Sequence, residues 1–503
     1  MLARDDALER LATQQFDLLV IGGGALGCSV AHHAARMGLS VAVVEQHDLC
    51  SHTSSASSKL IHGGLRYLQM GDLRLVREAH QERHALATVV APQLVRPRRF
   101  VFPLYRGGPV HPYLLRPGLV LYGALGGFKE GAGGMLSPQA AKAKVPALKM
   151  DRLRSAGTYT DHETNDARLA LLTAKAAASH GAGIVTRMAV EGFQLASGKI
   201  VGAHCRDSLT GAAIDVSARA VVNATGPWVD HIRRLADPGA RPSVQLSKGA
   251  HVVVDGGVGW EAAVIAPLTE GRVQFANPWE GMLLVGTTDE AYEGDPALVS
   301  ATDADVDQIL RETATALEPG TVTREGIRFR YAGLRVLPLG DAKTASARRE
   351  VVFERDSNGM LSIAGGKWTT YRRIGLDALE RLRDDLGFSK LARDPVPLPG
   401  ACDPVVMTTR LQREHPALET TTIDHLVRSY GSTATTVLEP ARERPELLEP
   451  ITIGTREIAA EVVHARDAEW AIDADDVMRR RTTLSVRGYA DAARARVEEL
   501  LST

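Results

Sequence analysis

The chain has 503 residues, of which 44% are hydrophobic and 24% are charged. This length exceeds that of one compact core and predicts several lobes, and the composition is typical of a folded protein. The 59 basic and 60 acidic residues nearly cancel, which excludes a general electrostatic attraction to nucleic acid.

The N-terminal residues 1–20 contain early acids and no uninterrupted apolar core, unlike a signal peptide. A βαβ unit follows. The apolar run 16–21 predicts a buried strand, residues 25–37 predict a helix that Gly38 ends, and residues 40–44 predict a second strand. This order of elements is typical of a dinucleotide-binding fold.

The turn between the first strand and the helix has the pattern G-x-G-x-x-G, formed by Gly22, Gly24 and Gly27. The three glycines permit a tight turn, a close approach of the backbone to a pyrophosphate, and close packing of helix on strand. Glu45 follows the second strand, where an acid binds a ribose hydroxyl. The pattern predicts a bound dinucleotide but does not distinguish NAD from FAD.

A hydroxyl-rich string, TSSASSKLIHGGLRYL, occupies residues 53–68. It suits a loop that surrounds a large ligand with polar groups, although serines alone would also fit a surface loop. The whole string resembles the signature of FAD-dependent glycerol-3-phosphate dehydrogenases. Further stretches resemble the same family in the same order: DARL at 166–169, VNATGPW at 222–228, KGAHVVV at 248–254, GTTD at 286–289 and GGKWTTYR at 365–372.

The resemblance covers nearly the whole chain and implies an aerobic, quinone-linked enzyme with FAD as cofactor. It implies an α/β fold: a Rossmann-type FAD-binding fold, a mixed α+β substrate domain with an antiparallel sheet, and a C-terminal α-helical cap. The implied cofactor-binding residues are Gly22, Gly24, Gly27, Glu45, Ser54, Ser58, Gly63, Gly64, Leu65, Val190, Ala224, Thr225, Gly226, Gly366, Lys367 and Thr369.

Three separate segments, about 1–90, 150–245 and 330–390, are expected to form the FAD-binding domain. Residues 91–149 and 246–329 are expected to form the substrate domain, in which alternation over 249–254 predicts an antiparallel strand. Residues 361–364 predict a strand and Thr369 onward a helix, whose N-terminus would favour negative charge on a reduced flavin. After a proline-rich breaker at 395–400, residues 401–503 are predicted to be helical, with Ile458, Val462 and Ala465 on one apolar stripe.

Residues 83–129 contain no Asp or Glu. Basic residues alternate there with aromatic ones, a mixture that suits an anionic membrane surface, stacking on single-stranded nucleic acid, or an ordinary strand and loop. The basic residues are Arg83, Arg96, Arg98, Arg99, Arg106, Arg116 and Lys129, and among the aromatic ones are Phe100, Phe102, Tyr105, Tyr113 and Tyr122. No stretch has the roughly 18 apolar residues of a membrane-spanning helix, so we expect peripheral contact with the inner face of the cell membrane and a cytoplasmic enzyme.

The resemblance implies that glycerol 3-phosphate is oxidised to dihydroxyacetone phosphate by hydride transfer to the flavin. Arginine suits the phosphate because its planar fork donates two parallel hydrogen bonds. The matching substrate-pocket residues are Arg66, Tyr67, Arg335, Arg348 and Lys367, with Arg349 as the alternative to Arg348. His251 is the candidate general base, since imidazole titrates near neutral pH, and His62 is the reserve candidate.

The four cysteines, at 28, 50, 205 and 402, form no C-x-x-C pair, so we expect free thiols and no metal site. We expect no nucleic-acid partner, and an oligomer is compatible with the sequence. Three other functions compete: an oxidase for the same substrate that uses O2, an amine or amino-acid oxidase, and a flavin-bearing RNA-binding or regulatory protein without turnover.

Overall fold

The structure, a computed structural model, describes residues 3–65, 68, 71–340 and 351–503. Two sheets and a C-terminal group of helices make up this part of the chain. The first sheet, counted over these residues, has eight strands: Gln15–Ile21, Val41–Val44, Gly183–Val185, Met188–Ala196, Lys199–Asp207, Ala213–Asn223, Val351–Arg355 and Leu361–Gly365.

Five strands of the first sheet run parallel, in the spatial order 361–365, 213–223, 15–21, 41–44 and 183–185. The strand 41–44 consists of three valines and an alanine that are all buried, which is the pattern of a parallel strand covered on both faces. Helices cover the sheet: Arg4–Thr13, Ala25–Arg36, Asp166–Ser179, Val229–Ala236, Tyr371–Arg381 and Arg383–Leu386. Val20, Ala31, Ala174 and Leu379 belong to the core between them.

The second sheet has ten strands within the described residues: Leu60–Ile61, Arg96–Tyr105, Gly134–Leu136, Leu153–Glu163, Val244–Val254, Ala263–Pro267, Val273–Trp279, Met282–Gly286, Glu290–Tyr292 and Ile327–Pro338. All pairings are antiparallel except that of 263–267 with 96–105. Four helices accompany it: Leu73–Ala85, Pro112–Leu125, Pro138–Lys144 and Asp303–Thr313. Thr302 and Asp305 form a capping box at the start of the last one.

The C-terminal part is helical, as predicted: Pro404–Glu414, Thr420–Tyr430, Ala434–Leu438, Ala459–Ala468, Ala474–Asp476 and Ala490–Ser502. Ile458, Val462 and Ala465 are buried in its core. Buried ion pairs join it to the first lobe, the part of the chain that consists of the first sheet and its covering helices. Arg168 donates to both carboxylate oxygens of Glu469, at 2.6 and 3.1 Å, and Asp48 accepts from Arg480 and Arg481.

The predicted α/β fold, with a Rossmann-type unit, a second sheet and a helical C-terminal part, is confirmed. Two details differ. Strands 60–61, 153–163 and 327–338 belong to the second sheet, although segments 1–90, 150–245 and 330–390 were expected to form the FAD-binding domain. Strand 60–61 pairs with 153–163, which pairs with 96–105, and strand 327–338 pairs with 244–254. The helix expected from Thr369 begins at Tyr371, after a 3-10 turn.

Candidate active site

A cavity of about 1800 Å³ is lined by residues from both sheets. It exceeds the roughly 300–1,000 Å³ of a site for a drug-sized ligand, as a dinucleotide requires. Most residues named from the sequence line it: Gly22, Gly24, Glu45, Ser54, Ser58, His62, Gly64, Leu65, Val190, Ala224, Thr225, Gly226, His251, Arg335, Gly366 and Lys367. Gly27, Gly63 and Thr369 do not line it, and Arg66, Tyr67, Arg348 and Arg349 lie outside the described residues.

The glycine turn forms one end of the cavity. Gly22 has a φ of +106°, and a methyl group built on it would lie 2.7 Å from the carbonyl oxygen of Ala224. A methyl group on Gly27 would lie 1.9 Å from the oxygen of Gly22, so only glycine allows this close packing of the helix behind the cavity wall. The hydroxyl of Ser54 accepts from the N–H of Ala25 at 2.9 Å and thereby satisfies one of the N–H groups that have no partner within the helix that begins there.

Glu45 holds the turn as well as facing the cavity. Its Oε2 accepts from the N–H of Gly23 at 2.7 Å, and its Oε1 accepts from the N–H of His47 at 2.9 Å. Burial raises the pKa of the Glu45 carboxyl above its ordinary value, while these two N–H groups oppose that shift. A carboxylate has about four lone-pair sites, so acceptor capacity remains for a ribose hydroxyl.

The hydroxyl-rich string is anchored by an acid of the DARL stretch. The carboxylate of Asp166 pairs with Nζ of Lys59 at 2.5 Å and accepts from the hydroxyl of Ser57 at 2.6 Å. Lys59 has a φ of +59°, a conformation that side chains other than glycine adopt rarely and that this buried pair holds in place. The motif match pointed to these residues, but their role follows only from the contact.

His251 lies on strand 244–254 and is buried. Its Nε2 shares a hydrogen bond with the hydroxyl of Ser58 at 2.9 Å, and its ring stacks on Tyr331 with centroids 5.0 Å apart. Burial lowers the pKa of His251 to about 3, and the charges of Arg335 and Lys59 add to that effect. The imidazole is therefore neutral at physiological pH.

The guanidinium of Arg335 is held by backbone and hydroxyl acceptors. Its Nη2 donates to Oγ1 of Thr287 at 2.9 Å, and its Nη1 donates to the hydroxyl of Ser247 at 3.3 Å. Asp289 lies 3.5 Å away. The side chain of Arg335 keeps 19% of its surface exposed, at the cavity wall.

Sequence reasoning missed several residues of this site. Thr287 was quoted only within a motif, and Ser247 gave no signal at all. Arg272 lines the cavity and donates to the carbonyl oxygen of Thr287 at 3.3 Å, while Glu312 holds its guanidinium at 2.7 and 3.0 Å. Asp161 also lines the cavity, and no local pattern marks it.

These residues fit FAD. The backbone at Gly22 approaches Ala224 so closely that any side chain would fill the space, and a methyl group on Gly24 would lie 3.0 Å from the Ser54 hydroxyl. Gly22, Gly24 and Glu45 would hold the adenosine diphosphate half, and Ser58, Gly64 and Lys367 the flavin half. Among the described residues no group of three or more His, Cys, Asp or Glu side chains is placed to bind a metal ion.

Comparison with known proteins identifies the family. The family described as FAD dependent oxidoreductase matches residues 17–372, and that described as the C-terminal domain of alpha-glycerophosphate oxidase matches residues 393–503. Glycerol-3-phosphate dehydrogenase 2 of Mycobacterium tuberculosis is 38% identical over 95% of this chain and 83% of its own length. The glycerol-3-phosphate dehydrogenase of Synechocystis is 35% identical over 94% of this chain and 89% of its own length.

Solved structures agree. The glycerol-3-phosphate dehydrogenase from Bacillus halodurans, complexed with FAD, superposes with a TM-score of 0.79 at 27% identity, over 99% of this chain and 96% of that one. The L-alpha-glycerophosphate oxidase from Mycoplasma pneumoniae, at 17% identity and a TM-score of 0.59, covers 77% of this chain and all of its own, and shares the fold. The cofactor is FAD, as the sequence implied, and the chain belongs to the family of FAD-dependent glycerol-3-phosphate dehydrogenases.

Proposed function

We propose that the chain oxidises sn-glycerol 3-phosphate to dihydroxyacetone phosphate and passes the electrons to a membrane quinone. One observation carries the first half of this proposal. Arg335 and His251, a cationic fork and a neutral imidazole, face the same cavity from two paired strands. The substrate offers each its complement, a phosphate dianion and a hydroxyl group.

The pairing of strands 244–254 and 327–338 supports this arrangement. His251 lies opposite Tyr331, and Arg335 lies opposite Ser247. Because side chains alternate between the faces of a strand, residues 247, 249 and 251 share one face with 331, 333 and 335. A small substrate between the two functional groups would therefore touch a surface built on rigid strands.

In this proposal Arg335 binds the phosphate, and Lys367, at the start of the Trp368–Thr370 turn, adds a second cation to the cavity wall. Arg66, Tyr67 and Arg348, or Arg349, are proposed to complete the substrate pocket. FAD, when bound, supplies the two-electron acceptor. His251 takes the proton of the substrate hydroxyl at Nε2, and for this step the substrate hydroxyl replaces Ser58 as the hydrogen-bond partner of that atom.

Anaerobic addition of glycerol 3-phosphate to the purified yellow protein tests the substrate. We expect the flavin absorbance band to bleach within seconds, whereas glycerol and glycine, which lack the phosphate, leave it unchanged at the same concentration. Bleaching by glycine at equal efficiency would instead favour an amino-acid oxidase. Retention of the yellow band with every one of these compounds would contradict the proposed activity.

The apolar part of the cavity supports a quinone as the acceptor. Aromatic and aliphatic side chains cluster on one part of the wall: Phe100, Phe102, Leu115, Tyr159, Ile265 and Phe275. A flat, apolar ring with a hydrocarbon tail would bury surface there at about 25 cal/mol per Å². The competing acceptor is O2, and it is tested by peroxide: one H2O2 per substrate oxidised indicates an oxidase.

The helix Pro112–Leu125, called the surface helix below, borders this apolar wall through Leu114, Leu115 and Leu121. Its outer face is apolar yet exposed: Tyr113 is 76% and Leu114 is 74% exposed, and Val120 and Leu121 are also exposed. An exposed apolar face of this kind typically marks a surface that binds a protein or a membrane. Arg106 precedes this helix, Arg116 lies on it and Lys129 follows it, and all three are exposed, which supports an anionic lipid surface as the partner.

Only part of the basic segment 83–129 is available to contact a membrane. Arg83 is buried, Arg98 donates to both oxygens of Glu163 at 2.8 Å, and Arg96 lies 3.3 Å from Glu163. These arginines serve the fold, so we now assign docking on the inner face of the cell membrane to residues 106–129. Within the described residues no helix is both long and apolar enough to span a bilayer.

Co-sedimentation with anionic vesicles tests the docking. Replacement of Arg106, Arg116 and Lys129 by Ser is expected to weaken vesicle binding by roughly 100-fold, since each cation contributes about 1 kcal/mol near such a surface. Activity with a soluble dye acceptor should persist while quinone reductase activity falls. The matched control replaces Lys390, Arg413 and Arg442, which are exposed elsewhere, by Ser. Equal vesicle binding by the two triple variants would contradict the docking surface.

A further inference from the structure

The carboxylate of Asp161 collects three donors on one oxygen. Asp161 lies on strand 153–163 and is only 3% exposed. Its Oδ1 accepts from the N–H of Gly63 at 3.0 Å, from the hydroxyl of Tyr122 at 2.7 Å, and from the guanidinium of Arg83. A buried charged acceptor with three donors fixes all of them strongly.

One of these donors belongs to the loop of residues 62–64, called the cofactor loop, of which His62 and Gly64 line the cavity. The preceding residue is fixed from another direction: Oγ1 of Thr369 accepts from the N–H of His62 at 3.1 Å and donates to its carbonyl oxygen at 3.0 Å. Two consecutive backbone N–H groups are therefore held by side chains from two different elements.

The second donor, Tyr122, belongs to the surface helix. Its ring is 2% exposed and packs on His80, with centroids 4.4 Å apart. A methyl group on Gly63 would lie 2.6 Å from the Tyr122 hydroxyl, so the cofactor loop rests directly on the inner face of this helix. The outer face of the same helix is the exposed apolar face described above.

We propose that Asp161 is a positioning residue for the cofactor loop and that Tyr122 makes the position of this loop depend on the surface helix. Asp161 and Tyr122 act through the backbone of Gly63, which in turn shapes the wall where the flavin half of FAD binds. The link consists of side-chain and backbone hydrogen bonds within this chain and uses no atom of FAD or of the substrate.

Tyr122→Phe is the clean probe, because it keeps the ring and removes only the hydroxyl. We expect the amides of residues 62–64 to exchange hydrogen for deuterium roughly 10-fold faster in the FAD-free protein, and the Kd for FAD to rise roughly 10-fold, the equivalent of about 1.4 kcal/mol. Tyr105→Phe is the matched control, since its hydroxyl bonds the carbonyl oxygens of Lys149 and Ala316 at 3.0 and 3.1 Å, away from the loop. Exchange and Kd equal to those of the unmutated protein in Tyr122→Phe would overturn the positioning role.

The dependence on the surface helix is tested by a double-mutant cycle. Leu119→Val loosens the buried side of the helix, and as the single substitution it is expected to speed exchange in the cofactor loop. In the Tyr122→Phe background the same substitution should have no further effect on the loop, because the connection is already cut. An additive effect of Leu119→Val in both backgrounds would show that the helix reaches the loop by another route and would overturn this part of the proposal.

Discussion

Gly249 lies beneath the guanidinium of Arg335: a methyl group built on Gly249 would come within 2.4 Å of Nη2. Gly249→Ala should therefore displace Arg335 without touching the charge. If Arg335 binds the substrate phosphate, the KM for glycerol 3-phosphate should rise at least roughly 10-fold while FAD content stays normal. Gly134→Ala, where a methyl group meets nothing within 4 Å, serves as the control. An unchanged KM in Gly249→Ala would separate Arg335 from the phosphate.

Arg335→Lys keeps the positive charge and removes the planar fork. Loss of one charge-assisted hydrogen bond costs about 1.5 to 3 kcal/mol, so the KM for glycerol 3-phosphate should rise roughly 10- to 150-fold. Arg330→Lys on the same strand is the control, because its exposed guanidinium pairs with Asp303. Steady-state kinetics with glycerol and with glycerol 3-phosphate would measure the effect, and equal efficiency towards both compounds in the unmutated enzyme would contradict the phosphate role.

The low pKa of His251, about 3, makes a prediction for catalysis. A base with that pKa stays neutral between pH 5 and 8, so kcat/KM should not fall through protonation of His251 in that range. If the catalytic histidine had the ordinary pKa near 6.5, kcat/KM would fall roughly 30-fold at pH 5.

His251→Asn should slow anaerobic flavin reduction by roughly 100- to 10,000-fold. A titration near pH 6.5 that disappears in His251→Asn would contradict the low pKa but not the role of His251 as base. An unchanged rate of flavin reduction in His251→Asn would contradict that role, and His62→Asn tests the reserve candidate in parallel.

Buried histidines should also make the fold sensitive to acid. Burial lowers the pKa of His32 to about 4 and the pKa values of His80 and His162 to about 3. Since the unfolded chain keeps these groups near 6.5, it binds more protons between these values, and stability is lost as pH falls from 6.5 towards 3. The urea midpoint should be constant above pH 7 and fall steadily below pH 6.5. His162→Gln should flatten this fall; an unchanged slope would assign it to other groups.

Asp48 anchors the C-terminal helices to the first lobe. Asp48→Ala leaves Arg480 and Arg481 buried without this partner, which typically costs about 3–5 kcal/mol. We expect a marked fall in the thermal unfolding midpoint and weaker retention of FAD. Asp215→Ala is the control, because Asp215 and its partner His204 are both exposed. Equal midpoints for the two variants would mean that Asp48 contributes little to stability.

Sequence patterns correctly predicted those elements that depend on residues close together in the chain. The glycine turn, its flanking strands and the helix between them follow from hydrophobic spacing over thirty residues, and the structure confirms them. The assignment of strand 153–163 to the second sheet was missed because it depends on ten residue pairs with strand 96–105. The same reason hid Asp161, whose partner Gly63 lies 98 residues away.

The basic segment shows how a linear window misleads. Residues 83–129 contain no acid, yet in the antiparallel pairing Arg96 lies opposite Glu163 and Arg98 opposite Asp161. The neutralising charges are neighbours across strands rather than along the chain. At the surface helix, where the segment leaves the sheet, Arg116 is exposed together with apolar side chains, and these exposed apolar residues give the stronger signal.

The separation of Asp48 from its partners has a consequence for biosynthesis. The βαβ unit is synthesised well before the cations that pair with its Asp48, which lie 432 and 433 residues further along the chain. The parallel sheet itself lacks strands 213–223 and 361–365 until most of the chain has been made. The dinucleotide site, whose lining residues extend to Tyr371, is therefore incomplete until strand 361–365 and the turn after it have been synthesised.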